Sequence, residues 1–250
     1  MSPAAGGEGI KRAAGRRRAV KGQVLALLQD SPDLAALLAG LAPLPAATAV
    51  QPLIGALCRP EPLLRWRSVL ALGVTVARLA DADLEAGRVV MRRLMWSLND
   101  ESGGIGWGAP EAMAEIMTCH ADLAAEFGHM LVAYMREDGS FLEHEGLQAG
   151  LLWGLGRLAA ARPQLLRRHR AEQYLPGYLR SPRPELRGLA ARALGLLAAL
   201  SCRQQLVPLS TDPAPFLLFT PPQLEATTVA AQARLALERL ADSSFSPPGR

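Results

Sequence analysis

Leu63-Leu64-Arg65-Trp66-Arg67-Ser68-Val69-Leu70-Ala71-Leu72-Gly73 and Ser181-Pro182-Arg183-Pro184-Glu185-Leu186-Arg187-Gly188-Leu189-Ala190-Ala191-Arg192-Ala193-Leu194-Gly195-Leu196-Leu197 are two versions of one pattern. Aligned, both read Arg, seven residues, Gly, at Arg65–Gly73 and Arg187–Gly195. Small or apolar residues recur at steps of three and four: Leu64, Ser68, Ala71, Leu72, Thr75, Val76 and Leu79 in one, Leu186, Leu189, Ala190, Ala193, Leu194 and Leu197 in the other. That spacing puts one apolar stripe on each helix. Two further stripes lie between them, Leu84, Met91, Leu94, Met95 and Leu98, then Leu123, Phe127, Met130, Leu131, Tyr134 and Met135.

The register extends along the chain. Gly73, Glu115, Gly154, Gly195 and Ala236 occupy equivalent positions, 42, 39, 41 and 41 residues apart. A helix-pair period of about 40 residues is that of a stacked α-solenoid, here of about five helix pairs. Small residues at this anchor let neighbouring helices approach closely, and Glu115 is the exception. The second unit departs in another way. Pro110 lies five residues before its anchor, whereas Pro184 lies eleven before Gly195. Proline suits a first helical turn. Residues 99–109 therefore read as a Gly-rich loop replacing the first turns of a second helix. Gly103, Gly104, Gly106 and Gly108 give that loop backbone freedom.

Residues 181–197 and 63–73 resemble HEAT-like repeats of the phycobilisome-lyase type. The stretch Trp96-Ser97-Leu98-Asn99-Asp100-Glu101-Ser102-Gly103-Gly104-Ile105-Gly106-Trp107-Gly108-Ala109-Pro110-Glu111-Ala112-Met113-Ala114-Glu115 is similar to a group of bacterial HEAT-repeat proteins without an assigned activity. The resemblance covers residues 44–240. It implies the fold and is silent on chemistry, because such arrays serve many functions.

Half of the 250 residues are hydrophobic, enough for a sizeable core. The net charge is +4, with much of the excess at Lys11, Arg12, Arg16, Arg17, Arg18 and Lys21. Residues 1–19, without an apolar period, read as a disordered basic tail. Residues 20–241 read as the repeat domain and 242–250 as a C-terminal tail. Cys58, Cys119 and Cys202 form no metal-type pair and read as buried free thiols. No signal peptide or membrane span is recognisable, so the chain reads as cytoplasmic. Phe216-Leu217-Leu218-Phe219 with Gln223-Leu224-Glu225-Ala226 is a candidate small β-hairpin, although Pro221-Pro222 is not a favoured tight turn. Thr227 or Thr228 can N-cap a last helix.

The candidate site is the acidic, Gly-rich stretch and its neighbour in register: Asn99, Asp100, Glu101, Trp107, Glu111, Glu115, His144 and Glu145. Glu111 and Glu115 share a helical face, and His144 is in register with Ile105. The mixture of acids with an aromatic wall suits a ligand site. Acids that complement a helix dipole, around a plugging tryptophan, would look the same. A single metal held by His144, Glu145, Asp100 and Glu111 is a minor alternative. The one His-Glu pair falls short of the several that bind iron in deoxyhypusine hydroxylase, which this helix start resembles. Trp107 and Glu111 also loosely resemble the tryptophan and carboxylate of HEAT-like alkylpurine DNA glycosylases, with Arg65, Arg67 and Arg187 as a phosphate-facing surface. The acids of residues 99–115 would repel a phosphate backbone, so nucleic acid is not the expected partner. The reading is an all-α scaffold for a protein, peptide or small ligand, with no cofactor, no resident metal and no catalytic residue assigned. An enzyme or lyase accessory using the same pocket is the alternative.

Overall fold

The computed structural model describes residues 4–99 and 106–245. It is an all-α solenoid with one small hairpin. After α1 (Ala4–Asp30) and α2 (Leu34–Leu41) come five helix pairs. The first helices are α3 (Ala46–Ala56), α5 (Leu84–Leu98), α7 (Ala121–Ala133), the short α9 (Pro163–Arg168) with 3-10 turns, and the single turn α11 (Arg203–Leu206). Their partners are α4 (Pro62–Ala82), α6 (Ala109–Cys119), α8 (Glu145–Ala161), α10 (Pro184–Leu196) and α12 (Val229–Phe245). The five partners stack as one row in chain order, each against the next.

Local chemistry sets the helix boundaries. Asp33 and Asp83 accept hydrogen bonds from the Ala36 and Ala86 amides (2.8 and 3.1 Å) and so cap α2 and α5. Thr228 caps α12 through the Ala231 amide at 3.1 Å. Proline opens α4, α6 and α10, where its missing N–H costs nothing. α6 starts only at Ala109, as the position of Pro110 predicts, and has 11 residues against 21 in α4.

At the anchor positions neighbouring helices of the row are in close contact. A Cβ on Gly195 would lie 2.5 Å from Ala236 Cα, and one on Gly154 would lie 2.8 Å from the Ala114 methyl. Real Cβ atoms essentially never come that close, so these contacts exist because the side chains are absent. Glu115, the large anchor, fits because Gly73 faces it: a Cβ there would lie 2.6 Å from Glu115 Cγ. Its carboxylate then continues past Gly73 to Arg157 of α8, accepting from Nε at 2.7 Å and from Nη2 at 3.0 Å. The unit that lacks a small anchor thus gains an ion pair to the next helix.

Pro215–Thr220 (β1) and Gln223–Thr228 (β2) form the two-stranded antiparallel hairpin, with Phe216 opposite Thr227 and Thr220 opposite Gln223. The tight turn that Pro221-Pro222 was not expected to make is made with a cis bond between the two prolines. Phe216 packs against Gly188 of α10, where any side chain would collide with its ring. Arg187 fixes the approach to the hairpin by donating to Asp212 from Nε at 2.9 Å and Nη2 at 2.7 Å.

Two expectations from composition differ from the structure. Residues 4–19 belong to α1 rather than to an irregular tail. Ala, Arg and Lys favour helix intrinsically; residues 14–19 are exposed and Val20 is buried. The cysteines are free, yet only Cys202 is buried, while Cys58 and Cys119 are exposed at helix ends.

The spacing argument predicts opposite signs for one substitution at two glycines. Gly195→Ala should destabilise by about 1–3 kcal/mol despite alanine's better helix propensity, because Ala236 backbone must move. Gly55→Ala in α3, where a Cβ meets nothing within 4 Å, should stabilise by about 0.5–1 kcal/mol. Denaturant midpoints of the two variants check both.

Candidate functional site

α6 owes its late start to Gly108, whose φ of 75° is a left-handed conformation that disfavours any side chain. Pro110 follows in the first turn, with Glu111 beside it. In register, Glu111 lies next to Gly150 of α8, and its carboxylate occupies the space a side chain at Gly150 would need. Trp107, just before the helix, leans on the start of α8, where a Cβ at Gly146 would lie 2.7 Å from its Cζ3. Two missing side chains on α8 thus make room for one acid and one indole from the preceding unit.

Trp66 of α4 and Trp153 of α8 come from the helices on either side of α6, and their ring centroids are 4.6 Å apart, so the two rings meet across its face. The hairpin folds back over this face. Phe219 stacks on Trp66 at 4.4 Å with 10° between the planes. Trp153 Nε1 donates to the Phe219 carbonyl at 2.8 Å. Beneath this aromatic roof is a cavity of about 230 Å³, whose walls include Trp66, Trp107, Trp153 and Phe219. Its charged lining is Glu111, Arg65 and Glu185.

Glu111 is the buried carboxylate of this cavity. It is 5% exposed, and its Oε2 has no hydrogen-bond partner among the described residues. Burial raises its pKa above the ordinary 4.5. The amide of its own residue and the Arg65 guanidinium pull the other way, and Glu185 adds to the rise. A carboxylate in the first turn of a helix is favoured by the dipole, but here desolvation wins. Arg65 does not neutralise it. The Arg65 guanidinium lies over the Trp66 ring, 5.5 Å from its centroid. Glu185 is held by Arg183 at 2.8 Å.

The residues singled out in the sequence separate into groups. Trp107 and Glu111 line the cavity together. His144 meets the edge of Trp107, with centroids 4.9 Å apart, but is itself exposed. Its Nδ1 caps α8 by accepting from the Gly146 amide at 3.1 Å. Glu145 lies at the surface, 3.5 Å from Arg183. Glu115 lies further along α6 and is bound to Arg157, away from the cavity lining. Asn99 is exposed at the end of α5. Asp100 and Glu101 lie outside the described residues. Among the described residues, no three His, Cys, Asp or Glu side chains gather as a metal site would need.

Trp66, Trp153, Phe219, Arg65 and Glu185 complete the site and come from elements remote in sequence. Only the pairing of Glu111 with Gly150 across one repeat period was available as a signal. Of the three arginines considered for a phosphate surface, Arg187 is engaged by Asp212 and Arg67 donates to the Leu28 carbonyl at 2.9 Å. A wider hollow of about 710 Å³ between α1 and α3 is lined by Arg17, Arg18, Lys21 and Arg59. No helix among the described residues is long and apolar enough to cross a membrane.

No protein-family model and no curated protein matches the sequence. Solved structures do. An engineered protein from a structural-genomics consortium is 18% identical, with a TM-score of 0.52 over 89% of this chain and 98% of that one. A second engineered protein is 18% identical with a TM-score of 0.51, over 94% of this chain and 60% of that one. A designed armadillo repeat protein is 19% identical with a TM-score of 0.48, over 87% of this chain and 98% of that one. At these identities the likeness concerns fold alone, a helical-repeat solenoid.

The buried acid carries a stability signature. The unfolded chain loses the Glu111 proton near 4.5, whereas the folded chain holds it to higher pH. Folding therefore loses stability as pH rises above the ordinary value. Glutamine has the same shape and cannot ionise. Glu111→Gln should melt above the wild type at pH 7.5, and the gap should close as pH falls toward 4.5. Calorimetric melting across that range checks it.

Proposed function

We propose that this chain is a non-catalytic HEAT-like interaction scaffold, of the type its repeats resemble, that binds a protein or peptide partner at the concave cavity around Glu111. The working unit is the array of residues 20–241, and the free thiols fit a reducing, cytoplasmic setting. One observation carries the reading: a carboxylate 5% exposed, with one oxygen unpartnered, faces an aromatic-walled cavity. Burying such a group without a partner costs stability. Groups held in a costly state and aimed into a cleft mark functional sites. A structural plug would need only the tryptophans.

The arrangement favours binding over catalysis. Among the described residues, the cavity lining offers no histidine, cysteine or serine as a nucleophile or base beside Glu111. His144, the nearby imidazole, is committed to the α8 cap. At about 230 Å³ the cavity is below the roughly 300 Å³ at which drug-sized ligand pockets begin. That size suits one inserted side chain or a small head group.

The test is selection of peptides from a random displayed library on the immobilised protein. Selected peptides should share one anchor side chain. Their binding should fall at least about tenfold in Glu111→Gln and in Trp107→Ala, as truncation of an anchor pocket does. It should be unchanged in Trp96→Ala, since Trp96 is 77% exposed and outside the cavity. Peptides that bind all three variants equally would place recognition elsewhere and reject the reading.

A further inference from the structure

Resting on that reading of the cavity, the geometry points to its ligand: we infer that the cavity receives the head of an organic monocation, an alkylated ammonium or guanidinium group, with Glu111 as its counter-ion and tryptophan rings as its walls. Three observations meet here. Glu111 Oε2 is buried and without a partner, so the site has an unfilled demand for a donor or a positive charge. Trp66, Trp107, Trp153 and Phe219 wall the same space. Aromatic faces attract cations, and most strongly when water is excluded. The cluster already holds one cation on its own rim, the Arg65 guanidinium over the Trp66 ring at 5.5 Å.

The charge inventory singles out Glu111. From α10, Glu185 is bonded to Arg183 at 2.8 Å. From α4, Arg65 lies on Trp66 and donates no hydrogen bond to Glu111. From α8, the facing positions are Gly146, Ala149 and Gly150, which carry no charge and leave the carboxylate room. A neutral apolar group would fill the cavity and leave Oε2 unsatisfied. An anion would meet Glu111 at close range. A cation satisfies the carboxylate and the ring faces together.

Protons add an independent signature. Burial holds the free carboxyl protonated to higher pH than usual, and a bound cation stabilises the charged form. Binding should therefore expel a fraction of a proton and tighten as pH rises. Removal of Arg65, a competing positive charge at the rim, should strengthen binding.

The experiment is isothermal calorimetry on the full chain with tetramethylammonium, methylguanidinium and choline, against the uncharged choline isostere 3,3-dimethylbutanol. Titrations are run in two buffers of different ionisation enthalpy. The expected result is saturable binding of at least one cation and none of the alcohol. It includes proton release and a loss on the order of 30-fold or more in Glu111→Gln, as for a buried charge left without its partner. Arg65→Ala should gain affinity, showing that an altered fold is not the cause. Equal binding of alcohol and cation, or cation binding that survives Glu111→Gln, overturns the inference. So does the absence of cation binding. If selected peptides bind through the cavity by an uncharged anchor, the scaffold reading stands and the cation inference alone falls.

Discussion

Neighbouring helices of the stacked row approach so closely that a Cβ at Gly195 would meet Ala236 Cα at 2.5 Å. That spacing is the constraint on which the rest of the molecule depends. Each amphipathic pair can bury its stripe only against its neighbours, and the anchor glycines determine how near those neighbours come. With the helices this close, the indoles of Trp66 and Trp153 meet from either side of α6, and the hairpin covers what lies between.

The same device is used twice on α8 for different purposes. Gly154 allows α8 to lie against α6, and one turn earlier Gly150 makes room for the Glu111 carboxylate. α6 supplies both of its acids to that interface, with opposite fates. Glu115 reaches Arg157 and is satisfied at 2.7 Å, a well-bonded pair that holds two helices in register. Glu111 reaches a cavity and is left with an unpartnered oxygen. A buried ion pair broken on one side is strongly destabilising, so the contrast between two acids one turn apart marks where the scaffold gives up stability.

The fold was legible because its signal is local and repeated. Period, anchor spacing, the late start of α6 at Pro110 and the Thr228 cap all follow from residues close in sequence. The site was legible only in part, for the same reason. Trp107 and Glu111 are four residues apart and could be grouped at once. Trp66, Trp153 and Phe219 converge through the stacking of separate repeats and a chain reversal, neither of which any short stretch encodes. Glu115 and His144 looked like members of the site by composition. What engages them is an arginine one repeat away and a backbone amide of the next helix. The basic N-terminal stretch shows the limit of reading composition. Lack of apolar residues predicted disorder, whereas intrinsic propensity continues α1 outward, with residues 14–19 exposed.

The central claim is that the solenoid holds a carboxyl group out of water, without a partner, over an aromatic cavity. The most direct measurement is an NMR titration of the Glu111 side-chain carboxyl carbon in the free protein, assigned by its loss in Glu111→Gln. The account predicts a midpoint clearly above the ordinary 4.5. A midpoint at or below that value would show the carboxylate to be solvated or paired, and would contradict the account.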